Sequence, residues 1–259
     1  MILKWVFTGL LTVTPLLTEE AVCAENLSRT PIIVTKGVFS SAEDFRRLSE
    51  VDEFFEKAGY SVYFADTPRG ETIEFRGESL KREIQRLVPQ GKYHLLAISM
   101  GGLDARYALA TAPHLKDRCS SLVTIASPHH GSPVATIAQF LLGWIPPRIL
   151  EKWPPESENT PLLVRLLRAT PVLTPSYVQG VFNRRYPEPT DLPHASLSTQ
   201  IWDKWIPFDG LVTEASARFG EHLGIIESDH LRAVFASSSP HRADLAAWSK
   251  ILTYYRRLD

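Results

Sequence analysis

The sequence has no excess of charge of either sign. Its 28 lysine and arginine residues nearly balance its 29 aspartate and glutamate residues, which gives a formal net charge of −1, and the charges form no block. Proteins that bind nucleic acid or an anionic surface through charge carry basic patches or tracts. The sequence therefore predicts neither of these partners.

The sequence also lacks an apolar run long enough to cross a membrane as a helix. The run Trp5–Leu17 is too short for a span, and a glycine and a proline interrupt it. Lys4 precedes this run and the small residues of Val22-Cys23-Ala24 follow it, which is the order of a secretory signal peptide. We therefore expect residues 1–24 to be a signal peptide, no transmembrane segment, and export to the periplasm or the medium.

Cysteine is scarce, with only Cys23 and Cys119 in 259 residues. Cleavage after Ala24 would leave Cys119 alone, so the exported protein would have no intramolecular disulfide. Its stability would then depend on the hydrophobic core. A chain of this length with 44% hydrophobic residues is long enough for one full-sized domain, which we expect over residues 25–259.

Apolar, β-branched runs alternate along the chain with apolar residues at helical spacing. The strand candidates are Pro31–Thr35, Tyr60–Phe64, Tyr93–Ile98 and Ser121–Ala126. A last helix, opened by Ser239-Pro240, has an apolar face formed by Leu245, Trp248, Leu252 and Tyr255. This alternation predicts an α/β fold with a mainly parallel central sheet flanked by helices.

The middle of the chain departs from this alternation. Prolines punctuate residues 134–190, where amphipathic helix patterns occur, and no strand pattern appears until Gln200-Ile201-Trp202. We expect this helical insertion to lie over the carboxyl ends of the strands, where open α/β sheets place their sites. Two interpretations stay open: statically packed helices, or a mobile lid whose apolar face binds acyl chains or an oil–water interface.

Ser99 is the most informative polar residue of the chain. The stretch Leu95–Leu103 runs from an apolar strand through small residues around this serine into a helix pattern. A serine hydroxyl is an effective nucleophile when a sharp turn exposes it to a base and to backbone N–H donors. Ala97 and Gly101 are small where strand and helix backbones would approach closely. The stretch is typical of a nucleophile elbow, although an ordinary strand-to-helix turn has the same pattern.

A nucleophilic serine needs a histidine base, which in this architecture comes last along the chain. His230 fits best, because it lies in a polar loop that enters an apolar segment. His194 and His222 stay open as alternatives. His129 and His130 follow a strand and have no carboxylate at metal-ligand spacing, so we interpret them as loop-shaping residues.

A carboxylate that orients the histidine is expected between the serine and the histidine. Asp209 follows the strand-like Ile201–Ile206 and precedes Gly210, so its carboxylate would project at a strand end. Asp203 lies inside that predicted strand and Asp191 lies in a proline-rich loop, so both are poorer candidates.

Two backbone N–H groups are expected to form an oxyanion hole. One is that of Met100, at the start of the helix after Ser99, and the other comes from the loop after the first core strand. In that loop Val38 is the expected donor, because Gly37 permits the backbone turn that aims its N–H.

Taken together, these residues resemble the bacterial triacylglycerol lipases of the Pseudomonas and Burkholderia type, in the α/β-hydrolase superfamily. The resemblance runs from about Pro31 to about Phe235 and consists of spaced motifs in the same order. They are Arg76–Leu80, Ser99–Tyr107, Thr124–Ala135, Phe182–Pro187, Asp209–Val212 and His230-Leu231.

The resemblance implies an α/β-hydrolase fold with a helical lid and a carboxylic-ester hydrolase that acts on lipid esters without a cofactor. Carried over residue by residue, it implies Ser99 as nucleophile, Asp209 as acid, His230 as base, and Val38 and Met100 as oxyanion donors. An acyltransferase or phospholipase with the same triad, and a non-catalytic scaffold that binds lipid or protein, stay open as alternatives.

The sequence departs from the family pattern at several places. Lys36-Gly37 stands where the family usually has His-Gly, which predicts a looser oxyanion loop. Arg232 stands where the family has a calcium-binding aspartate, and a cation repels a divalent metal, so no metal is expected there. The family's disulfide is missing, and the segment before Asp209 is shortened, so substrate preference transfers poorly.

Overall fold

A six-stranded parallel sheet forms the centre of the molecule. The computed structural model describes residues 29–43, 46, 51–155, 159–201, 207–230 and 242–259. The strands are β1 Ile32–Thr35, β2 Val62–Phe64, β3 Tyr93–Ile98, β4 Cys119–Ile125, β5 His194–Gln200 and β6 Glu221–Glu227. They lie in the order β2-β1-β3-β4-β5-β6, and each neighbouring pair is parallel.

Helices connect the strands and cover the sheet. They are α1 Val51–Glu56, α2 Ile73–Leu87, α3 Gly101–Thr111, α4 Pro113–Lys116, α5 Pro133–Leu142, α6 Leu162–Leu173, α7 Pro175–Tyr177, α8 Asn183–Arg185, α9 Glu214–Ala217 and α10 Arg242–Leu258. A 3₁₀ turn at Pro147–Lys152 and a π turn at Val178–Phe182 complete the helical segment between β4 and β5.

The core lies on both faces of the sheet, which explains why the central strands are continuous apolar runs. Successive side chains of a strand point to opposite faces. Leu96 and Ile98 of β3 therefore pack on one side with α1 and α10, including Phe55 and Trp248. Leu95 packs on the other side, among buried residues of α2 and α3. Buried apolar side chains cover both faces, so the ends of the strands are where a site can be expected.

The first four strands lie where the sequence places them, within two residues at each end. The later part differs. No strand was expected before Gln200, but β5 begins six residues earlier, at His194, and ends at Gln200. Ile201, the first residue of the strand-like stretch 201–206, therefore lies after its end. Strand β6 was missed, because only Ile226 of its seven residues is buried.

Several expectations lie outside the described residues. These are the signal peptide over residues 1–24, the segment 202–206 with Asp203, Arg232, and the Ser239-Pro240 helix start. The described part of α10 docks through Trp248, Ile251 and Tyr255 rather than Leu245, which is 44% exposed.

The helical segment between β4 and β5 has an apolar surface. On and just after α5, Ile137, Phe140, Leu141 and Trp144 are exposed, with Phe140 85% and Trp144 80% accessible. Such a contiguous apolar patch is unusual on a soluble domain. Among the helices of the described part, none combines the length and hydropathy that a membrane span needs.

Candidate active site

Ser99 lies at the carboxyl end of β3, in a strained turn that leads into α3. Its φ is 55°, in the left-handed region that non-glycine residues rarely adopt. Its backbone N–H donates to the Ile125 carbonyl of the neighbouring strand at 2.8 Å, which fixes the turn to the sheet. The Ser99 side chain is therefore held at the sheet edge instead of continuing the strand.

Small residues around Ser99 allow this turn. A Cβ atom added to Gly101 would lie 2.9 Å from the Lys36 carbonyl oxygen and 3.1 Å from that of Thr35. Ala97 is fully buried in β3, paired with Thr35 and Thr124 on either side. The helix and the first strand therefore approach more closely than a larger residue at position 101 would permit.

The structure brings together the three residues that the sequence predicted for the triad. Ser99 Oγ lies 2.8 Å from His230 Nε2, and His230 Nδ1 lies 2.7 Å from Asp209 Oδ2. The His230 backbone N–H also donates to the Asp209 carbonyl at 2.8 Å. All three residues are buried, with Ser99 8% exposed. With Nδ1–H donated to Asp209, Nε2 can accept the serine proton.

Several donors hold the Asp209 carboxylate. The N–H groups of Leu211 and Val212 donate to Oδ1 at 2.9 and 2.7 Å, and the Thr199 hydroxyl donates to Oδ2. Burial alone would raise the pKa of Asp209, but the bonds from His230, Thr199 and Val212 outweigh it and hold the pKa below its ordinary value. Asp209 is therefore an anion at neutral pH.

The alternatives for these roles have other partners. His194 bonds to Glu188 and the Leu192 carbonyl, and His222 bonds to the Ser198 hydroxyl. Asp191 forms an exposed ion pair with Lys116. None of these contacts involves Ser99.

His129 fits the loop-shaping interpretation, since it is 1% exposed. It bonds to Thr124 and Arg106 and stacks on Phe219 at 4.2 Å between ring centroids. Burial, with the Arg106 guanidinium adding to it, lowers the pKa of His129 well below its ordinary value. His130, next in the chain, is exposed.

A second Ser–His–Asp alignment lies at the opposite edge of the sheet. His94 Nδ1 is 2.8 Å from Ser121 Oγ, and His94 Nε2 is 3.0 Å from Asp259 Oδ1. Ser121 and His94 are fully buried near the amino ends of their strands, and His94 stacks on Tyr255. A substrate has no access to Ser121, so this alignment is not a second active site. The bond from His94 to Asp259 anchors the end of α10 instead.

Met100 follows Ser99 directly, and Val38 packs against the buried cluster that contains Met100. Met100 is buried immediately before α3, and its carbonyl accepts from Leu103 and Asp104. Val38 lies in the loop after β1, and its carbonyl accepts from the Gly70 N–H at 2.8 Å.

Lys36, two residues before Val38, has its side chain in the interior of the protein. It is 1% exposed, and its Nζ donates to the Thr67 carbonyl at 2.5 Å.

The sequence did not reveal the contribution of Arg76. This fully buried side chain on α2 forms an ion pair with Asp104 of α3 at 2.7 Å. It also donates to the carbonyls of Lys36, at 2.9 Å, and Pro68. The motif Arg76–Leu80 was the only available signal, because these partners are distant in sequence.

The match to a family model identifies the class of the protein. Residues 30–165, more than half of the chain, match the model described as alpha/beta hydrolase fold. The chain belongs to this family, and the predicted fold class is confirmed.

Curated relatives of the chain include triacylglycerol lipases. It is 27% identical over 213 residues to triacylglycerol lipase 2 of Saccharomyces cerevisiae, covering 71% of this chain and 60% of that protein. A triacylglycerol lipase of Pseudomonas fragi is 29% identical over 133 residues, which are 48% of this chain and 42% of that protein. A triacylglycerol lipase of Burkholderia plantarii is 31% identical over 140 residues, which are 47% of this chain and 36% of that protein. The chain thus spans at most 60% of the length of these relatives.

Solved structures with the same fold include a metagenomic carboxyl esterase and a Bacillus licheniformis lipase in its mature form. The esterase gives a TM-score of 0.63 at 19% identity and covers 86% of this chain and 76% of its own. The lipase gives a TM-score of 0.62 at 20% identity, and the match covers 86% of this chain and 92% of the lipase chain. These likenesses concern the fold.

Proposed function

We propose that this protein is a serine carboxylic-ester hydrolase that acts on lipid esters, related to bacterial triacylglycerol lipases of the Pseudomonas and Burkholderia type. The observation that carries the proposal is the hydrogen-bonded series from Ser99 Oγ through His230 to Asp209, with distances of 2.8 and 2.7 Å, placed on a strained turn. Relatives named triacylglycerol lipases support the ester class.

In the proposed reaction, His230 Nε2 takes the proton of Ser99 Oγ as that oxygen attacks the ester carbonyl. The N–H groups of Val38 and Met100 donate to the oxyanion of the tetrahedral intermediate. His230 then gives the proton to the leaving alcohol, and an acyl-enzyme remains on Ser99. His230 activates a water that releases the acid, while the Asp209 anion stabilises the imidazolium in both halves.

The direct test is hydrolysis of p-nitrophenyl esters from acetate to palmitate by the purified protein. Turnover along this series, lost in Ser99→Ala, is the expected result. Absence of turnover on every ester, together with a normal melting temperature, would leave a non-catalytic scaffold as the better account.

The exposed apolar patch on α5 suggests that the substrate is presented at an interface. Ile137, Phe140, Leu141 and Trp144 form this patch, and α5 has no charged residue. Contact of this patch with an oil phase would be favourable by about 25 cal/mol of free energy for each Å² of apolar area removed from water. We propose that the helical segment is a lid and that this apolar patch, the lid surface, contacts aggregated lipid.

The double variant Phe140→Ser/Trp144→Ser tests the lid surface. We expect hydrolysis of long-chain esters above their aggregation limit to fall about tenfold, because two exposed aromatic side chains no longer enter the lipid phase. Hydrolysis of soluble p-nitrophenyl butyrate should stay within about twofold. Gln139→Ser, also exposed on α5, is the control. An equal loss on both substrates would contradict an interfacial role.

We also propose that the reaction needs no calcium, on the basis of Arg232. Dialysis against a chelator is expected to leave the hydrolysis rate and the melting temperature unchanged, because a cation at this position repels a divalent metal. Activity and calorimetric unfolding with and without calcium check this. A large drop in activity or in melting temperature in chelator would contradict the proposal.

A further inference from the structure

Lys36 places an amine in the interior beside the loop that carries Val38. Its side chain is 2% exposed, and Nζ lies 2.5 Å from the Thr67 carbonyl oxygen, 3.5 Å from the Thr67 hydroxyl and 3.7 Å from the exposed Asp66 carboxylate. Burying an ammonium costs several kcal/mol. An apolar side chain would fill the same space without that cost, so the hydrogen bond to Thr67 is what distinguishes a lysine here.

This bond joins two backbone segments. The oxyanion loop, Lys36–Val38, lies beside the β2 turn, Thr67–Gly70. Lys36 Nζ bonds the start of the loop to the start of the turn, and the Gly70 N–H bonds to the Val38 carbonyl at the other end. The two segments are therefore fastened at both ends.

Arg76 contacts the peptide group that carries the Val38 N–H. A trans peptide is planar, so the N–H of Val38 points opposite to the Gly37 carbonyl. Arg76 Nη2 lies 2.9 Å from the Lys36 carbonyl oxygen and 3.4 Å from that of Gly37. Arg76 thus holds this peptide through its carbonyl, while the Lys36 side chain bonds the loop to Thr67.

We propose that Lys36 is a positioning residue for the oxyanion hole: its buried amine holds the oxyanion loop against the β2 turn, so that the Val38 N–H stays aimed at the reacting oxygen. The proposal rests on the proposed function of Ser99. It assigns to Lys36 a role in transition-state stabilisation rather than in substrate binding.

The surroundings of Lys36 also make this contact pH-dependent. Burial lowers the pKa of Lys36 to about 7, and the cations Arg76 and Arg69 add to the lowering, while Asp66 and Asp104 oppose it. The protonated amine makes a charge-assisted bond, which is stronger than that of the neutral amine. The kcat of the wild type should therefore fall as the pH rises through the pKa of Lys36, because the loop is then held less firmly.

Kinetics of Lys36→Met test the proposal, with Lys92→Met as the matched control. Lys92 also donates to a backbone carbonyl, that of Asp117 at 2.6 Å, but it is exposed at the opposite edge of the sheet. We expect kcat for p-nitrophenyl butyrate to fall about 10- to 100-fold in Lys36→Met, somewhat less than the loss of a whole oxyanion donor, with KM within about twofold. Fluorophosphonate labelling of Ser99 should slow by a similar factor.

Lys36→Gln separates positioning from a purely structural role. Its amide can donate to Thr67 but does not titrate, so kcat should recover to within about threefold of the wild type and lose its alkaline decline. Melting temperatures of both variants should stay near that of the wild type at neutral pH, because a buried charge has been removed.

Three results would overturn the proposal: an unchanged kcat in Lys36→Met, an equal loss in Lys92→Met, or an alkaline decline that persists in Lys36→Gln. A wild-type protein that neither hydrolyses esters nor labels at Ser99 is a different failure, since it removes the proposed function itself.

Discussion

Replacing Ser99 with alanine is expected to lower kcat/KM for ester hydrolysis by about 10⁴-fold or more, because it removes the nucleophile whose acyl intermediate divides the reaction. His230→Ala should lose about as much, and the double variant little more, because residues of one triad act as a unit. Steady-state hydrolysis of p-nitrophenyl butyrate, with unfolding followed in parallel, measures both effects.

The control for these variants is Ser121→Ala. Ser121 belongs to the other Ser–His–Asp alignment, so it has a histidine partner but no access to substrate. Its kcat/KM should stay within about twofold of the wild type. Substantial turnover by Ser99→Ala would show that another residue is the nucleophile and would contradict the proposed mechanism.

Removing Arg76 is expected to cause the largest loss of stability. Arg76 and Asp104 are both fully buried, and breaking a buried pair from one side costs about 3–5 kcal/mol, because Asp104 must then either stay charged without its cation or take up a proton. Arg76→Met should show this loss in denaturant unfolding. Arg86→Met, which breaks an exposed ion pair on the same helix, should cost less than about 1 kcal/mol.

The loss in Arg76→Met should grow with pH. Burial raises the pKa of Asp104 to about 6, although Arg76 opposes the rise. A carboxyl whose folded pKa exceeds its unfolded value loses stability as the pH rises toward the folded pKa. Without Arg76 that pKa rises further, so the variant continues to lose stability above pH 6, where the wild type does not.

The double variant Arg76→Met/Asp104→Leu completes the cycle. It should regain part of the stability, because no charge is then buried alone, but not the bonds from Arg76 to the backbone of Lys36 and Pro68. A double variant as unstable as Arg76→Met would show that the backbone bonds, not the ion pair, dominate.

The parts of the fold that follow from sequence are those whose signal is local. Strand β3 and the turn at Ser99 lie in one continuous stretch, where the apolar run, the small residues and the helix pattern occur together. Strand β5 was misplaced because it is rich in hydroxyl side chains. Its Ser196 and Thr199 are buried through bonds to Phe219 and Asp209, partners that no local pattern reveals.

The same distinction holds for the site. Chain order and turn signals suffice to select Ser99, Asp209 and His230, whose contacts the structure then shows. The partner of Lys36 could not be found from the sequence, because Thr67 is 31 residues away, in the turn after strand β2. A lysine beside a glycine is typical of an exposed loop. Only the structure shows that the Lys36 amine is buried and bonded to the Thr67 carbonyl.

Covalent labelling tests the central claim most directly. The wild-type protein is treated with a fluorophosphonate near neutral pH, and the adduct is located by intact mass and peptide mapping. The proposed mechanism predicts one adduct, on Ser99, absent from Ser99→Ala and formed at least about 10²-fold more slowly in His230→Ala. A folded wild-type protein that stays unlabelled, or an adduct on any other serine with Ser99 untouched, would contradict it.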